Sequence, residues 1–308
     1  MNKVLVIGSS NTDLIARLER FPVAGETVEG KHFLQAMGGK GANQAVAAHR
    51  LGGDVKFITS LGKDANGENA LRQFRSEGLD VEASLIVEDI PSGTAMIWVD
   101  DSGENCIVVT PGANKRLLPE YILKKRDEIV SADILLLQME IPLDTVKVIC
   151  ELASDAGKKI ILNAAPACKI DAEVLQKISV LAVNETEAEI ISGEKIDNVG
   201  EEGVVDRLLE LGAKAVVLTL GKKGCIMKDK DRHYVIPAFN VEAIDTTAAG
   251  DTFCGALAAE LGRGNHWKQA LNFASAASAI CVTRLGAQPS VPSEQEVYNF
   301  LKEQHASK

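Results

Sequence analysis

Residues 134–163 read ILLLQMEIPLDTVKVICELASDAGKKIILN, and this stretch indicates the fold class. An apolar run at 134–139 is followed by a helical pattern from about Leu143 to Ala156 and by a second apolar run at 159–163. Two strands that are apolar on both faces and joined by a helix are typical of a parallel sheet with helices on each side. The stretch therefore predicts an α/β fold.

The same alternation continues on both sides of this stretch. Apolar runs at 4–7, 55–60, 180–184 and 215–220 alternate with helical segments such as 67–78. We predict a three-layer α/β/α sandwich with a mostly parallel central sheet. Several of the predicted strands end in a polar residue, at the edge where open α/β sheets bind ligands. These residues are Asn163, Asn184 and Thr219.

Two regions do not follow this alternation. Residues from about 14–35 and 92–110 contain strand patterns and turns without crossover helices. We predict that they form a small antiparallel β lid within a single domain spanning residues 1–308. One face of the lid would be apolar and would need a cover, which a second copy of the chain in a homodimer would provide. Its residues are Ile97, Val99, Ile107 and Val109.

Composition and charge exclude several classes of function. The chain has 308 residues, 46% of them hydrophobic, and its net charge of −10 argues against nonspecific binding to nucleic acid or anionic membranes. The apolar run at 4–7 is too short for a signal peptide, and no run approaches the roughly 20 residues that span a bilayer. Six scattered cysteines without metal-site spacing are typical of reduced thiols. We therefore expect a soluble cytoplasmic enzyme.

The segment DTTAAGDTF at 245–253 carries a clear chemical signal. Its small residues precede a helical pattern that ends at Gly262, and a helix N-terminus with unobstructed amides favours an anion. A carboxylate beside an anion site is expected where a hydroxyl loses its proton as it attacks a phosphate. This pairing indicates a kinase for a small alcohol, with Asp251 as the base. The alternative is that Asp251 only caps a helix after a glycine-rich turn.

A second set of polar residues follows the first strand and opens the GGKGANQ helix at 38–44. The segment is not a Walker A loop, because Gly41 stands where Ser or Thr would hold magnesium. Residues 8–13 lack the G-x-G-x-x-G spacing, which argues against a dinucleotide-binding oxidoreductase. The set suits a polyhydroxylated ligand, although a turn before a tightly packed Ala/Gly helix explains the glycines equally well. Its members are Asn11, Asp13, Lys40 and Asn43.

Taken together, these segments resemble the ribokinase-type carbohydrate kinase family over essentially the whole chain. The resemblance implies that ATP, with Mg²⁺, phosphorylates D-ribose at its 5-hydroxyl to give D-ribose 5-phosphate and ADP. A kinase for 2-deoxyribose or another sugar is the alternative within the family. A sugar or nucleotide sensor without turnover is the alternative outside the enzymes. The segments that carry the resemblance are 8–13, 38–44, 110–114, 163–167, 184–189, 219–224, 245–253 and 283–290.

The resemblance also implies roles for individual residues in the transfer and in sugar binding. Asp251 would be the general base, and the backbone of Ala248, Ala249 and Gly250 would form the anion hole. For Glu140, a strand-end carboxylate exposed to solvent is the alternative to sugar binding. Together with Asp251, the sugar-binding positions are Asn11, Asp13, Gly39, Lys40, Asn43 and Glu140.

For the nucleotide, the resemblance implies positions on four segments. Glu187, with Asn184, would arrange water around the magnesium ion, although a capping box explains the same spacing. Ser275 departs from the family, in which a His or Asn often contacts the nucleotide, so the selectivity for the nucleotide base stays open. The nucleotide-binding positions are Asn184, Thr219, Leu220, Gly221, Lys222, Lys223, Gly224, Gly250 and Ser275.

The resemblance finally implies a monovalent cation site beside the anion hole, and hence activation by potassium. Several of its residues would contribute only backbone carbonyls. The five histidines have neither catalytic nor metal-site spacing. The potassium positions are Asp245, Thr247, Cys281, Arg284, Gly286 and Ser290.

Overall fold

The computed structural model describes residues 3–306 of the chain. Within this range the strands are β1 (Lys3–Ile7), β2 (Asn11–Arg17), β3 (His32–Gly38), β4 (Asp54–Ile58), β5 (Ser60–Gly62), β6 (Leu85–Val87), β7 (Gly93–Val99), β8 (Asn105–Thr110), β9 (Ile134–Leu137), β10 (Lys159–Asn163), β11 (Val180–Asn184), β12 (Ala215–Thr219), β13 (Gly224–Asp229) and β14 (His233–Pro237). The α-helices of the same range are α1 (Lys40–Arg50), α2 (Ala65–Ser76), α3 (Pro119–Lys124), α4 (Arg126–Ser131), α5 (Leu143–Asp155), α6 (Ala172–Leu175), α7 (Glu185–Ser192), α8 (Ile196–Glu210), α9 (Ala249–Gly262), α10 (Trp267–Cys281) and α11 (Glu294–Ala306). Short 3-10 helices occupy Gly112–Arg116, Gly221–Lys223 and Gln288–Ser290.

The large sheet has the strand order β14-β13-β12-β11-β10-β9-β1-β4. The strands from β12 to β4 in this order pair in parallel, and β13 and β14 add an antiparallel edge. The stretch at 134–163 forms β9, α5 and β10, and β9 pairs directly with β10. The mostly parallel sheet predicted from the sequence is confirmed.

The inner strands of this sheet are buried on both faces. In β1, Val4 and Val6 contact a core that also contains side chains of α1, α9 and α10. Leu5 and Ile7 contact the opposite core, to which α5 and α8 contribute. Because burying one large aliphatic side chain contributes about 1.5–3 kcal/mol, both helical layers are firmly held. The predicted three-layer sandwich is confirmed.

Helices α1 and α9 pack unusually closely against each other. A Cβ atom added at Gly255 of α9 would lie 2.6 Å from Cβ of Ala47 and 2.8 Å from the carbonyl oxygen of Gln44. A Cβ at Gly41 would lie 2.5 Å from the backbone of Gly8, so the start of α1 is equally tight. The tightly packed Ala/Gly helix considered from the sequence is therefore present. Its packing brings the first turns of α1 and α9 together.

A smaller sheet, with the order β3-β2-β7-β8, comes from the two regions that break the α/β alternation. Its outer pairs, β2 with β3 and β7 with β8, are antiparallel as predicted. Its central pair, β2 with β7, runs parallel instead. The reason is that the chain travels from β3 to β7 through α1 and α2, so no hairpin fixes the direction of β7. Strands β5 and β6 form a separate parallel pair.

The strand register places the predicted apolar residues on one face of the small sheet. Asp13 pairs with Ala95, which pairs with Val109, so this carboxylate shares the face. Ile107 on the same face is 51% exposed, and Val109 is 48% exposed. The face is therefore polar at its inner end and apolar at its outer end.

None of the helices within residues 3–306 combines the length and the apolar character that crossing a membrane requires.

Candidate active site

The polar strand ends predicted from the sequence meet at one edge of the large sheet. Asn184 at the end of β11 pairs with Thr219 at the end of β12, and Asn163 at the end of β10 pairs with Ala182. A cavity of about 200 Å³ opens here, and all three polar residues contribute to its wall. The predicted gathering of these residues at the carboxyl edge is confirmed.

Helix α9 directs its N-terminus into the same cavity, which Ala249, Gly250 and Asp251 all line. The first helical hydrogen bond runs from the Thr252 N–H to the Ala248 carbonyl at 2.8 Å, so the amides of Gly250 and Asp251 precede the helical ladder. A Cβ added at Gly250 would have no protein atom within 4 Å. Open space therefore lies beside the amides, and an anion fits there.

Asp251 is not the cap of this helix. The N-cap is Ala248, whose backbone adopts a left-handed conformation with φ 58°, and Asp251 lies in the first turn. The Asp251 carboxylate is 8% exposed. Its Oδ2 accepts a hydrogen bond from Nδ2 of Asn43 at 3.0 Å, and its Oδ1 accepts one from Nε2 of Gln44 at 2.9 Å. The helix-cap alternative for Asp251 is therefore wrong.

A cluster of charged groups lies around this carboxylate. Burial, together with the negative charges of Glu140 and Asp251, raises the pKa of Asp13 to about 7. Burial acts to lower the pKa of the Lys40 ammonium, but Asp251, Glu140 and Glu187 outweigh it, so this pKa lies above its ordinary value. Lys40 therefore stays charged and offsets part of the acidic cluster.

Glu140 is held against the start of α1 instead of being free in solvent. Its Oε2 accepts hydrogen bonds from Oγ of Ser9 at 2.5 Å and from the backbone N–H of Lys40 at 3.0 Å. Oγ of Ser9 also accepts a hydrogen bond from the Gly41 N–H at 3.3 Å. Ser9, which had no role in the sequence prediction, thus joins the end of β1, the start of α1 and Glu140.

Asn11 is fixed by a residue that the sequence prediction also left without a role. Nδ2 of Asn114 donates to Oδ1 of Asn11 at 2.8 Å, and Oδ1 of Asn114 accepts the Ser10 N–H at 2.9 Å. Gly39 has φ 88°, and a Cβ there would approach the Asn11 amide to 2.8 Å. Gly39 is therefore required for the backbone of α1 to pass beside Asn11.

Asn184 and Glu187 form a capping box at the start of α7, which was the structural alternative for these residues. Oδ1 of Asn184 accepts the Glu187 N–H at 2.8 Å, and Oε2 of Glu187 accepts the Asn184 N–H at 2.8 Å. Both side chains nevertheless line the cavity. Burial raises the pKa of Glu187 above its ordinary value, although the Asn184 backbone and Lys40 oppose that shift. The pair is thus structural and also accessible to a ligand.

The loop between β12 and β13 turns away from the cavity after Thr219. The Leu220 side chain is buried, whereas Lys222 and Lys223 are exposed, and Nζ of Lys223 lies 2.6 Å from Glu201. A Cβ at Gly224 would lie 2.0 Å from the Ile236 carbonyl oxygen, so only glycine fits this turn. Of the residues from 219 to 224, only Thr219 lines the cavity.

Ser275 on α10 lies behind this loop. Its Oγ is 3.9 Å from Sγ of Cys225 on β13, and the side chain is 9% exposed. Cys254 of α9 lines the cavity itself, and burial raises the pKa of its thiol. The Cys254 side chain therefore stays a neutral thiol beside the anion site.

Five of the six residues predicted to hold potassium are linked by contacts near the start of α9. Oδ1 of Asp245 accepts the Thr247 N–H, and Oδ2 accepts the Gly286 N–H, both at 2.9 Å. Burial acts to raise the pKa of Asp245, but these hydrogen bonds outweigh it and the pKa lies below its ordinary value. Sγ of Cys281 lies 3.0 Å from Oγ of Ser290. The Arg284 side chain points outward to Glu296.

Across the described part of the chain, residues 3–306, no group of three or more His, Cys, Asp or Glu side chains is arranged to hold a metal ion. A magnesium ion that keeps its waters and binds through phosphates needs no such group. The buried carboxylate of Glu187 on the cavity wall fits that kind of contact.

Comparison with known proteins identifies the family. Residues 1–294 match the sequence profile of the pfkB family carbohydrate kinases. The chain belongs to this family. The resemblance inferred from the sequence is therefore confirmed, and the protein is a carbohydrate kinase, an enzyme that transfers a phosphoryl group to an alcohol.

Relatives of this pfkB kinase cover its whole length. It is 40% identical to the ribokinase of Haemophilus influenzae over 304 residues, which are 98% of this chain and 99% of that protein. It is 35% identical to the deoxyribokinase of Salmonella typhimurium over 303 residues, which are 97% of this chain and 98% of that protein. The structure of Arabidopsis thaliana ribokinase complexed with ribose and ATP has a TM-score of 0.92 at 31% identity and covers 98% of this chain and 99% of that one.

Several residues that hydrogen-bond to predicted site residues had no role in the sequence prediction, among them Ser9, Gln44 and Asn114. All three lie inside quoted segments, but only the packing of the folded chain shows what they contact. Asn114 follows β8, about a hundred residues from its partner Asn11. A contact at such sequence separation leaves no local pattern.

Proposed function

We propose that the protein uses ATP to phosphorylate the 5-hydroxyl of D-ribose, and that it releases D-ribose 5-phosphate and ADP. The observation that carries this proposal is the position of Asp251. Its carboxylate faces a cavity at the first turn of α9, so a base and an anion site lie side by side. A sugar hydroxyl between them would have its proton acceptor on one side and a phosphate on the other.

In the proposed step, an Asp251 oxygen accepts the proton of the 5-hydroxyl as the hydroxyl oxygen forms a bond to the γ-phosphorus. The bond from that phosphorus to the β–γ bridging oxygen breaks, and ADP leaves with the electron pair. General-base assistance of this kind contributes about 10²- to 10⁴-fold in rate. The backbone amides from Ala248 to Gly250 would stabilise the charge on the transferred group.

The proposed sugar site lies between β2 and the start of α1. Asn11, Asp13, Asn43 and Lys40 offer amide, carboxyl and ammonium groups to neighbouring hydroxyls. An Asp13 carboxyl with a pKa of about 7 exists in both protonation states near neutral pH, so it can donate or accept a hydrogen bond. Glu140 and Gly39 support this site through the backbone of α1.

ATP would extend from the α9 amides along the end of β12. Thr219 and Asn184 line the cavity there, and the backbone of the 220–224 loop would border the base and ribose, with Ser275 behind it. Magnesium bound to the phosphates would offset their charge, and Glu187 with Asn184 would hold its water ligands. Potassium would bind among the backbone carbonyls and side chains of the 245–247 and 281–290 segments.

We further propose that the small sheet is the predicted lid, formed by about 14–35 and 92–110. Asp13 lies at the inner end of one face, so movement of the small sheet toward the large sheet would cover the sugar and exclude water. The exposed outer end of that face, with Ile107 and Val109, would pack against a second copy in a homodimer. Light scattering after size exclusion that gives only the monomer mass would argue against the dimer.

A second sugar is favoured by a specific observation. The deoxyribokinase of Salmonella typhimurium covers nearly all of this chain at 35% identity. One lost hydrogen bond to a hydroxyl can change sugar choice, so 2-deoxyribose is the alternative substrate.

The test is ADP release from Mg-ATP in potassium buffer, measured in parallel with D-ribose, 2-deoxyribose, fructose and no sugar. Fast release with ribose alone supports the proposal. Faster release with 2-deoxyribose keeps the mechanism and changes the substrate. No sugar-dependent release contradicts the proposed reaction, and calorimetry would then show whether the protein binds sugar as a sensor.

We also propose a cytoplasmic location, since all six cysteines are free thiols in the structure and thiols persist in a reducing compartment. Recovery of the protein in the membrane or extracellular fraction of its host would contradict this location.

A further inference from the structure

We propose that Gln44 is a positioning residue that orients the Asp251 carboxylate, and that Gln138 fixes the orientation of Gln44. The proposal rests on the proposed role of Asp251 as the base. Neither glutamine lines the cavity, and both are fully buried. They would act on the reaction only through Asp251.

The contact between Gln44 and Asp251 is direct and short. Nε2 of Gln44 donates to Oδ1 of Asp251 at 2.9 Å, while Nδ2 of Asn43 donates to Oδ2 at 3.0 Å. These neighbouring residues of α1 project about 100° apart around the helix, so they reach the two oxygens from different directions. A carboxylate held at both oxygens cannot rotate without losing a hydrogen bond.

Hydrogen bonds at both Nε2 and Oε1 fix the orientation of the Gln44 side-chain amide. Nε2 of Gln44 also donates to Oδ1 of Asn163 at 3.0 Å, and Nδ2 of Asn163 is directed to the Ala182 carbonyl at 3.4 Å. On the other side, Oε1 of Gln44 accepts a hydrogen bond from Nε2 of Gln138 at 2.6 Å. The chain of donors therefore runs in one direction, from Gln138 through Gln44 to Asp251.

Packing alone does not account for a glutamine pair at this place. A polar side chain buried without partners costs free energy, and Oε1 of Gln138 has no hydrogen-bond partner in the described structure. An apolar side chain of similar size at Gln138 would avoid that cost. The one bond that Gln138 donates goes to Gln44, which supports a positioning role for the pair.

The first test compares Gln44→Met with wild type. Methionine has a similar volume and no amide donor, so Oδ1 of Asp251 loses its anchor while the sugar contacts stay in place. We expect kcat to fall about 10- to 100-fold, because small misplacements of a reacting group have effects of that size. The KM for the sugar should change by less than about threefold, as Gln44 does not reach the cavity.

Gln138→Met is the milder second variant, because it removes only one hydrogen bond. We expect a smaller fall in kcat, again without a matching change in KM. The control is Thr145→Val, which removes the buried hydrogen bond from Oγ1 of Thr145 to the Leu117 carbonyl, at the start of α5. This variant should lower the melting temperature and leave kcat unchanged. The comparison then separates the effect of losing a buried hydrogen bond from the effect of misplacing the Asp251 carboxylate.

A double-mutant cycle tests whether Gln44 acts through Asp251. On the Asp251→Asn background, Gln44→Met should cause no further fall in the residual kcat. A full additional fall would overturn the proposal, and so would a Gln44→Met enzyme with wild-type kcat.

The crystal structure of Gln44→Met gives a readout that needs no turnover. A rotated Asp251 carboxylate supports the proposal, and an unchanged carboxylate overturns it. A wild-type enzyme that releases no ADP with any sugar would contradict the proposed function instead, and this structural readout would still decide the role of Gln44.

Discussion

Gly255 of α9 faces Ala47 of α1 so closely that a Cβ at Gly255 would lie 2.6 Å from the alanine Cβ. The two helices carry the proposed base and its amide donors, so their separation determines the geometry of the site. The contact that sets this separation lies one helical turn after Asp251, in the apolar core.

Gly255→Ala should therefore force α1 and α9 apart. We expect a loss of about 1–3 kcal/mol in the free energy of unfolding, the usual effect of overpacking a core. The melting temperature, followed by calorimetry, reports it. Gly30→Ala is the matched control, because its nearest atom would be 3.7 Å away, and its melting temperature should not change. Equal melting temperatures for the two variants would contradict the close packing.

Gly250→Ala, unlike Gly255→Ala, should lower activity without lowering stability. A methyl group there meets no protein atom within 4 Å, and alanine is a better helix residue than glycine, so stability should be kept or slightly raised. The same methyl group would occupy the space proposed for the phosphates. We expect kcat/KM for ATP to fall at least about tenfold, measured by steady-state ADP release. Unchanged kcat/KM would place the phosphates elsewhere.

Asp251→Asn should remove the proposed proton acceptor and leave the shape of the site intact. We expect kcat to fall about 10²- to 10⁴-fold while the dissociation constant for the sugar, measured by calorimetry, stays within a few-fold. A variant with activity within tenfold of wild type would exclude Asp251 as the base.

Asp13 should make stability depend on pH. Its folded-state pKa is about 7 against an ordinary value of 3.8, so between these values the folded state binds more protons than the unfolded state. The contribution of Asp13 to stability is thus fully present below about pH 4 and is lost as pH rises through 7, with an upper limit of about 4 kcal/mol. Asp13→Asn should show a weaker fall in melting temperature between pH 5 and about pH 8. Parallel curves for the two proteins would contradict the raised pKa.

Asp245→Asn should weaken activation by potassium. The carboxylate accepts the amides of Thr247 and Gly286, and its lowered pKa keeps it charged across the neutral range. We expect wild-type activity to be about tenfold higher in potassium than in sodium buffer, and this ratio to approach one in the variant. Equal wild-type activity in potassium, sodium and choline buffers would contradict the proposed activation by potassium.

The large sheet could be predicted from the sequence because each strand carries its own apolar signal. The run at 134–137 predicts a buried strand wherever it lies in the chain, and the polar residues after such strands then fall at one edge. The parallel pairing of β2 with β7 could not be predicted in this way. Register and direction between distant strands are set by the path of the chain through α1 and α2.

The contacts of individual site residues are likewise not predictable from local sequence. The small residues around Asp251 predict it as a site residue. Its two amide donors depend on how α1 and α9 pack, which the contact between Gly255 and Ala47 determines. The pKa of Asp13 depends first on its burial and then on the charge of Glu140, which lies far away in sequence. Sequence patterns predict which groups are present, whereas three-dimensional packing sets their pKa values and hydrogen bonds.

In the proposed reaction, Asp13 on the small sheet would contribute to sugar selection, whereas Asp251 on the packed helices would accept the proton. A substitution on β2 would then change the proposed sugar contacts without disturbing the α1–α9 packing that holds the Asp251 carboxylate. Such an arrangement would let one scaffold acquire new acceptors by changes in a peripheral sheet, while the residues proposed for phosphoryl transfer stay unchanged.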